Sequence, residues 1–145
     1  FVIYLGRGIY YPAALESSLK LKEISYIPTD GVAMGELKHG PIALIDKNLP
    51  VFAISPSCDL FDKSISSLEE VIAREGKITL IGDKIAIDKL KDKVVDFIEI
   101  PESTNIIVSA LTSVIPGQLI SYYTALHKGN SIDKPRNLAK SVTVE

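Results

Sequence analysis

Cys58 is the only cysteine in this 145-residue chain, so no internal disulfide can staple it, and a lone thiol fits a reducing cytoplasm. Histidine is almost as scarce: His39 and His127 are the only two. Neither neighbours Cys58 in sequence, so neither a bound metal nor another cofactor is expected. No lysine and arginine cluster is interleaved with aromatics, and a formal net charge of −2 gives no basic field for nucleic-acid phosphates. No apolar run reaches the roughly 20 residues of a bilayer span, and no signal peptide precedes the first strand-like segment. Nucleic acid and membrane are therefore not expected as partners. Internal repeats and low-complexity stretches are absent too. An initiator methionine is also missing, for the chain opens at Phe1 with a strand already in progress, as expected of a piece of a longer protein. What is present is an ordinary globular balance, 46% hydrophobic and 23% charged, at a common size for one domain.

Residues 1–5 form a β-branched and aromatic run closed by Gly6-Arg7-Gly8, with Pro12 placed for the first turn of a helix. Further strands are expected at 24–28, 50–55, 77–81 and 97–100. The run at 50–55 is nearly all apolar, as a strand covered on both faces requires. Helices are expected at 14–26, 59–75, 85–91 and 105–128. Leu60, Phe61, Ile65, Leu68, Val71 and Ile72 carry the apolar side of the second. The last has Ile107, Leu111, Val114, Ile115, Leu119, Tyr122 and Leu126 as its expected buried stripe and a kink or split at Pro116-Gly117. Thr29-Asp30-Gly31 reads as a turn, while His127 and Lys128 complement the last helix's dipole ahead of a Gly129 cap. This alternation predicts an α/β fold: a three-layer, doubly wound, five-stranded parallel sheet in flavodoxin-like order 2-1-3-4-5 over residues 1–130, then an irregular tail at 131–145. Gly6 and Gly8, with Asp30 about 20 residues beyond, raise a dinucleotide fingerprint; Tyr11 occupies its third glycine position, where helix and strand must approach closely.

The segment ALESSLKLKEISY at 14–26 has an unusual charge pattern. Glu16, Lys20 and Glu23, spaced by four and three, stack on one helical ridge. Leu15 and Leu19 flank it on one side and Ala13 and Ile24 on the other, which puts the ridge inside the apolar arc. Two readings stand. The three charges are buried together, which is costly unless they pair, or they form a solvated ladder worth about 0.2–0.5 kcal/mol per pair. GELKHGP at 35–41 allows one short helical turn and presents His39, either an acid–base group or a surface loop histidine. PRNLAK at 135–140 mixes cations with apolar residues, which suggests a tail that folds back over something.

Together ALESSLKLKEISY, GELKHGP and DKPRNLAKSVTVE resemble, as does the whole length of the chain, the second sugar isomerase (SIS) domain of the glutamine–fructose-6-phosphate aminotransferase family. The resemblance implies an enzyme in which an N-terminal glutaminase releases ammonia and the isomerase half joins it to fructose 6-phosphate. The product is glucosamine 6-phosphate, for amino-sugar biosynthesis in the cytoplasm. It implies Glu23 as the carboxylate that moves a proton between C1 and C2, with Glu16 and Lys20 supporting the shuttle. It implies His39 as the histidine that opens the sugar ring, reaching into the neighbouring subunit of a homodimer. Lys140 matches a tail lysine able to form a Schiff base with the sugar carbonyl, and substrate contacts fall on Lys20, Glu23, Ala139 and Lys140. The family's phosphate loop belongs to the first SIS domain and has no equivalent here, so the fragment alone is expected to be inactive. The resemblance also favours the buried reading of the charged ridge. The alternatives are a non-catalytic SIS sugar-phosphate sensor, which needs no proton shuttle, and a simple sugar-phosphate isomerase, which needs no terminal lysine.

Overall fold

The computed structural model describes residues 1–138. Five parallel strands, β1 (Val2–Gly6), β2 (Thr29–Ala33), β3 (Pro50–Ile54), β4 (Lys77–Gly82) and β5 (Asp96–Glu99), lie in the order 2-1-3-4-5. Helices α1 (Tyr11–Ser25), α2 (Phe61–Ile72), α3 (Lys84–Leu90), α4 (Ile106–Thr112) and α5 (Val114–His127) cover both faces. This is the expected α/β architecture and strand order.

Strand alternation divides the core in two. Ile3, Leu5, Val51, Ala53, Ile78 and Leu80 face Phe61, Leu68 and Val71 of α2 and Ala86, Ile87 and Leu90 of α3. Val2, Tyr4, Ile54 and Ile81 face the other way, toward Tyr10, Ala13, Ala14 and Leu21, with Val114 and Ile120 packed against them. Leu60, expected on the apolar side of α2, precedes the helix and is exposed.

Two elements differ from the sequence reading. Residues 24–28 are not a strand: α1 runs on to Ser25, and Thr29-Asp30-Gly31, expected as a turn, open β2. As an edge strand β2 tolerates polar residues, and its start is fixed by α1, with the Ser18 hydroxyl donating to Thr29 Oγ1 (3.0 Å) and Thr29 Oγ1 donating to the Ser18 carbonyl (2.7 Å). Gly31 is required there, since a Cβ would lie 2.9 Å from the Leu15 Cα. Asp30 pairs with Ile3, short of the strand end that carries Gly6, so it is not where a ribose-binding acid belongs.

The second difference is at the C-terminal helices. The break falls at Ser113, and Pro116 sits in the first turn of α5, where proline is tolerated. The buried face is Ser109, Ser113, Pro116, Gly117, Ser121 and Ala125, while Ile107, Leu111, Ile115, Leu119, Tyr122 and Leu126 are exposed, Leu111 to 66%. Close packing of α1 on α5 is the cause. A Cβ on Gly117 would lie 2.1 Å from Ser17 Oγ, a spacing that only small side chains permit, so the large ones point outward. The buried hydroxyls of Ser17, Ser25, Ser113 and Ser121 each donate to the carbonyl four residues back, which removes the cost of burying them. Ile106–His127 is therefore a helical stretch long and apolar enough to cross a membrane, contrary to the expectation that no such run exists. Its small-residue face is packed on α1.

Candidate functional site

The charged ridge of α1 is neither buried nor fully solvated. Lys20 Nζ lies 2.7 Å from Glu23 Oε2 and 3.7 Å from Glu16 Oε1, and the Glu23 side chain is 28% exposed. The buried arc of α1 is instead Ala13, Ala14, Ser17, Ser18, Leu21 and Ser25, while Leu15 and Leu19, expected inside, are each 44% exposed. The ridge thus runs along the margin of the packed face. Its hydrogen bond with Glu23 holds the Lys20 ammonium above the ordinary lysine pKa; desolvation opposes this, and attraction to Glu23 and Glu16 reinforces it. Lys20 is consequently a cation held between two carboxylates, and the part-exposed Glu23 carboxylate is its nearer partner.

The C-terminal end of α1 gathers the described part of the tail. Tyr26 takes the left-handed conformation (φ 60°) that closes the helix. The helix's last free carbonyls accept from distant donors: Lys128 Nζ reaches Ser25 O at 2.7 Å, and Asn130 Nδ2 reaches Ile24 O at 2.9 Å and Ser25 O at 3.3 Å. Lys128 therefore serves the end of α1 rather than its own helix, whose last turn is closed by Gly129 (φ 69°). The Arg136 guanidinium stacks 4.1 Å over the Tyr26 ring, and its backbone N–H donates to the Tyr26 hydroxyl at 2.8 Å. Lys128, Asn130 and Arg136 are thus held at the end of α1, about one helical turn from Glu23. Ala139 and Lys140, named from the sequence as substrate-contacting residues, lie outside the described residues.

His39 ends a six-residue 3-10 turn, Met34–His39. Leu37 anchors this turn in the core, Lys38 Nζ pairs with Glu70 Oε1 at 2.7 Å, and His39 is exposed. Gly40 follows at φ 150°, a conformation open to glycine alone, and Pro41 starts the next turn. The His39 turn continues from the carboxyl end of β2, whereas Glu23 lies beyond the other end of that strand. Five residues of strand at about 3.3 Å each separate the two edges by roughly 16 Å. Within one chain the structure does not bring Glu23 and His39 together.

Residues missed in the sequence include Arg7, whose Nη2 donates to Ser67 Oγ at 2.9 Å, and Asp83, which is buried. Asp83 caps α3 through Ala86 N (2.9 Å) and accepts from Ser57 N (3.0 Å) and the Ser57 hydroxyl, fixing the loop after β3. An aspartate directly before a helix was the available signal. That loop lines a polar cleft of about 300 Å³ with Tyr10, Cys58 and Ser103 at the carboxyl edge of the sheet, where doubly wound folds place ligands.

A family model described as SIS domain matches residues 2–128. The chain is 53% identical over 144 residues to a glutamine–fructose-6-phosphate aminotransferase [isomerizing] of Rhizobium meliloti, covering 99% of this chain and 24% of that protein. It thus spans about a quarter of the length of the curated relatives it matches. Among solved structures it is similar to the C-terminal domain of glucosamine-fructose-6-phosphate aminotransferase from Francisella tularensis, at TM-score 0.86 and 45% identity over 92% of this chain and 38% of that one. It is also similar to glucosamine-6-phosphate deaminase from Thermotoga maritima, at TM-score 0.72 and 26% identity over 99% of this chain and 40% of that one.

Proposed function

Since the chain belongs to the SIS domain family, we propose that it is the C-terminal isomerase domain of a cytoplasmic glutamine–fructose-6-phosphate aminotransferase. In this reading the complete enzyme combines glutamine-derived ammonia with fructose 6-phosphate and isomerises the product to glucosamine 6-phosphate. The observation that carries it is the identity of 53% along nearly the whole chain to a protein so named. The domain boundary of the reading is residue 130, with 131–145 as a tail that closes over the sugar.

Each residue has a stated task. Glu23 takes the proton from one of C1 and C2 and returns it to the other, and Lys20 with Glu16 keeps its carboxylate aligned. The half-exposed margin on which they sit supports this, because a substrate held by another domain can reach it. Lys140 contacts the open-chain sugar and condenses with its carbonyl, releasing water; the fastening of 128–136 to the end of α1 supports a tail directed toward Glu23. His39 opens the sugar ring. Its separation from Glu23 within one chain supports a homodimer in which His39 serves the neighbouring subunit. Sugar phosphate, the first SIS domain and the glutaminase domain are the other partners, and the exposed apolar ridge of α4 and α5 supports packing against further parts of a protein four times this length.

The test is Glu23→Gln in the complete enzyme. Isomerisation is expected to fall by about 10²- to 10⁴-fold while fructose 6-phosphate binding, measured by calorimetry, stays near wild type. Turnover retained within a factor of a few rejects the role given to Glu23.

A further inference from the structure

Arg7 is half-buried in the turn after β1, and its guanidinium is used in only one direction. Nη2 donates to the Ser67 hydroxyl at 2.9 Å, while Nε is buried with no partner among the described residues. The Ser67 hydroxyl, on α2, is shared in turn between the carbonyls of Met34 at 3.3 Å and Lys63 at 3.4 Å, and Met34 is the first residue of the turn that ends in His39. The backbone of that turn lies against the guanidinium, since a Cβ on Gly35 would sit 3.6 Å from Arg7 Nη1. At the other end of the turn Lys38 is paired with Glu70, also on α2.

We propose that Arg7 is a positioning residue for His39, acting through Ser67 as a strut that fixes the 3-10 turn against α2. The inference rests on the reading of His39 as the ring-opening group. At this place the guanidinium is half-buried and ties the turn after β1 to α2. Burying one with an idle N–H is unfavourable, and such a feature is retained where a constraint on geometry needs it. A planar fork suits the task better than an ammonium, because it can lie flat on the turn while its edge bonds Ser67. Met34 and Leu37 both bury in the core and Lys38 pairs with Glu70; the strut adds a directional bond at the Met34 carbonyl, which apolar packing does not supply. A displacement of about 1 Å at a reacting group can cost up to about 100-fold in rate.

The experiment is a double-mutant cycle in the complete enzyme with Arg7→Ala and His39→Ala, measured as kcat and KM for fructose 6-phosphate, with melting temperatures recorded alongside. Arg7→Ala is expected to lower kcat about 10-fold with little change in KM, and to lower it by less than about 2-fold when His39 is already alanine. Arg7→Lys is expected to restore only part of the loss. Ser67→Ala, which breaks the strut from the other side and spares the loop after β1, should behave as Arg7→Ala does and replaces it if that variant does not fold. Equal losses with and without His39, or no loss at all, overturn the strut. A His39→Ala enzyme of undiminished kcat overturns instead the role given to His39, and the strut with it.

Discussion

On the α2 and α3 face of the sheet, Leu68, Val71, Ile87 and Leu90 point inward, and the outer surface is largely charged, with Lys93 paired to Glu69 at 2.7 Å, Lys89 facing Asp62 at 3.9 Å, and Ile85 the exposed large apolar residue of α3. On the α1, α4 and α5 face the inward residues are mostly small, Ala13, Ser17, Gly117, Ser121 and Ala125 beside Leu21, and the outward ones are Leu15, Leu19, Leu111, Ile115 and Leu119. One face is finished toward water. The other spends its small residues on bringing two helices into contact and leaves its large apolar residues outside, beside a cleft of about 590 Å³ lined by Ile98, Ile100, Pro101 and Tyr123. The lesson concerns periodicity: a regular apolar stripe marks a face that will be covered, without saying whether this chain or another surface covers it.

Four substitutions probe that contrast. The largest effect is expected from Gly117→Leu, whose side chain overlaps Ser17 and forces α5 off α1; thermal unfolding of the chain should lose its cooperative transition. Leu68→Ala, on the finished face, should cost about 2–5 kcal/mol in chemical denaturation. Tyr4→Phe acts mainly at high pH. The Tyr4 ring stacks on Phe52 with its hydroxyl buried and unpartnered among the described residues, and burial raises its pKa well above that of an ordinary tyrosine. The fold thus favours the neutral phenol. Its contribution is complete below the unfolded pKa of about 10 and is lost as pH rises beyond it. Alkaline titration of stability should be shallower above about pH 10 in Tyr4→Phe, with stability at neutral pH within about 1 kcal/mol of wild type. The smallest effect is expected from Leu111→Ala, within about 0.5 kcal/mol in this chain alone. A cost there equal to that of Leu68→Ala would erase the distinction between the faces.

Most of the sheet could be read from sequence because β-branched runs bounded by glycine, proline and aspartate place β1, β3, β4 and β5 with small boundary errors. β2 escaped because an edge strand begun by Thr29-Asp30-Gly31 carries turn residues, and only its parallel pairing with β1, seated by the contact with Ser18, reveals it as a strand. The buried arcs of α1 and α5 escaped for a different reason. Serine ranks as polar on any scale, yet Ser17, Ser25, Ser113 and Ser121 return their protons to their own helices and pack like alanines. The wheel therefore put Leu15 and Leu19 inside and the Glu16, Lys20, Glu23 ridge with them. Within the candidate site, spacing alone foretold the Lys20 pairings. The grip of Lys128, Asn130 and Arg136 on the end of α1 spans more than a hundred residues of sequence, and no local pattern encodes it.

The length of one strand has a genetic consequence. β2 holds Glu23 and His39 at opposite edges of the sheet, so in the proposed homodimer, where His39 serves the neighbouring subunit, the Glu23→Gln and His39→Ala lesions fall in different halves of a shared pocket. Two dead alleles would then complement. Hybrid pairs reassembled from the two purified variants contain one pocket with both lesions and one with neither, so an equal mixture should regain about a quarter of native turnover.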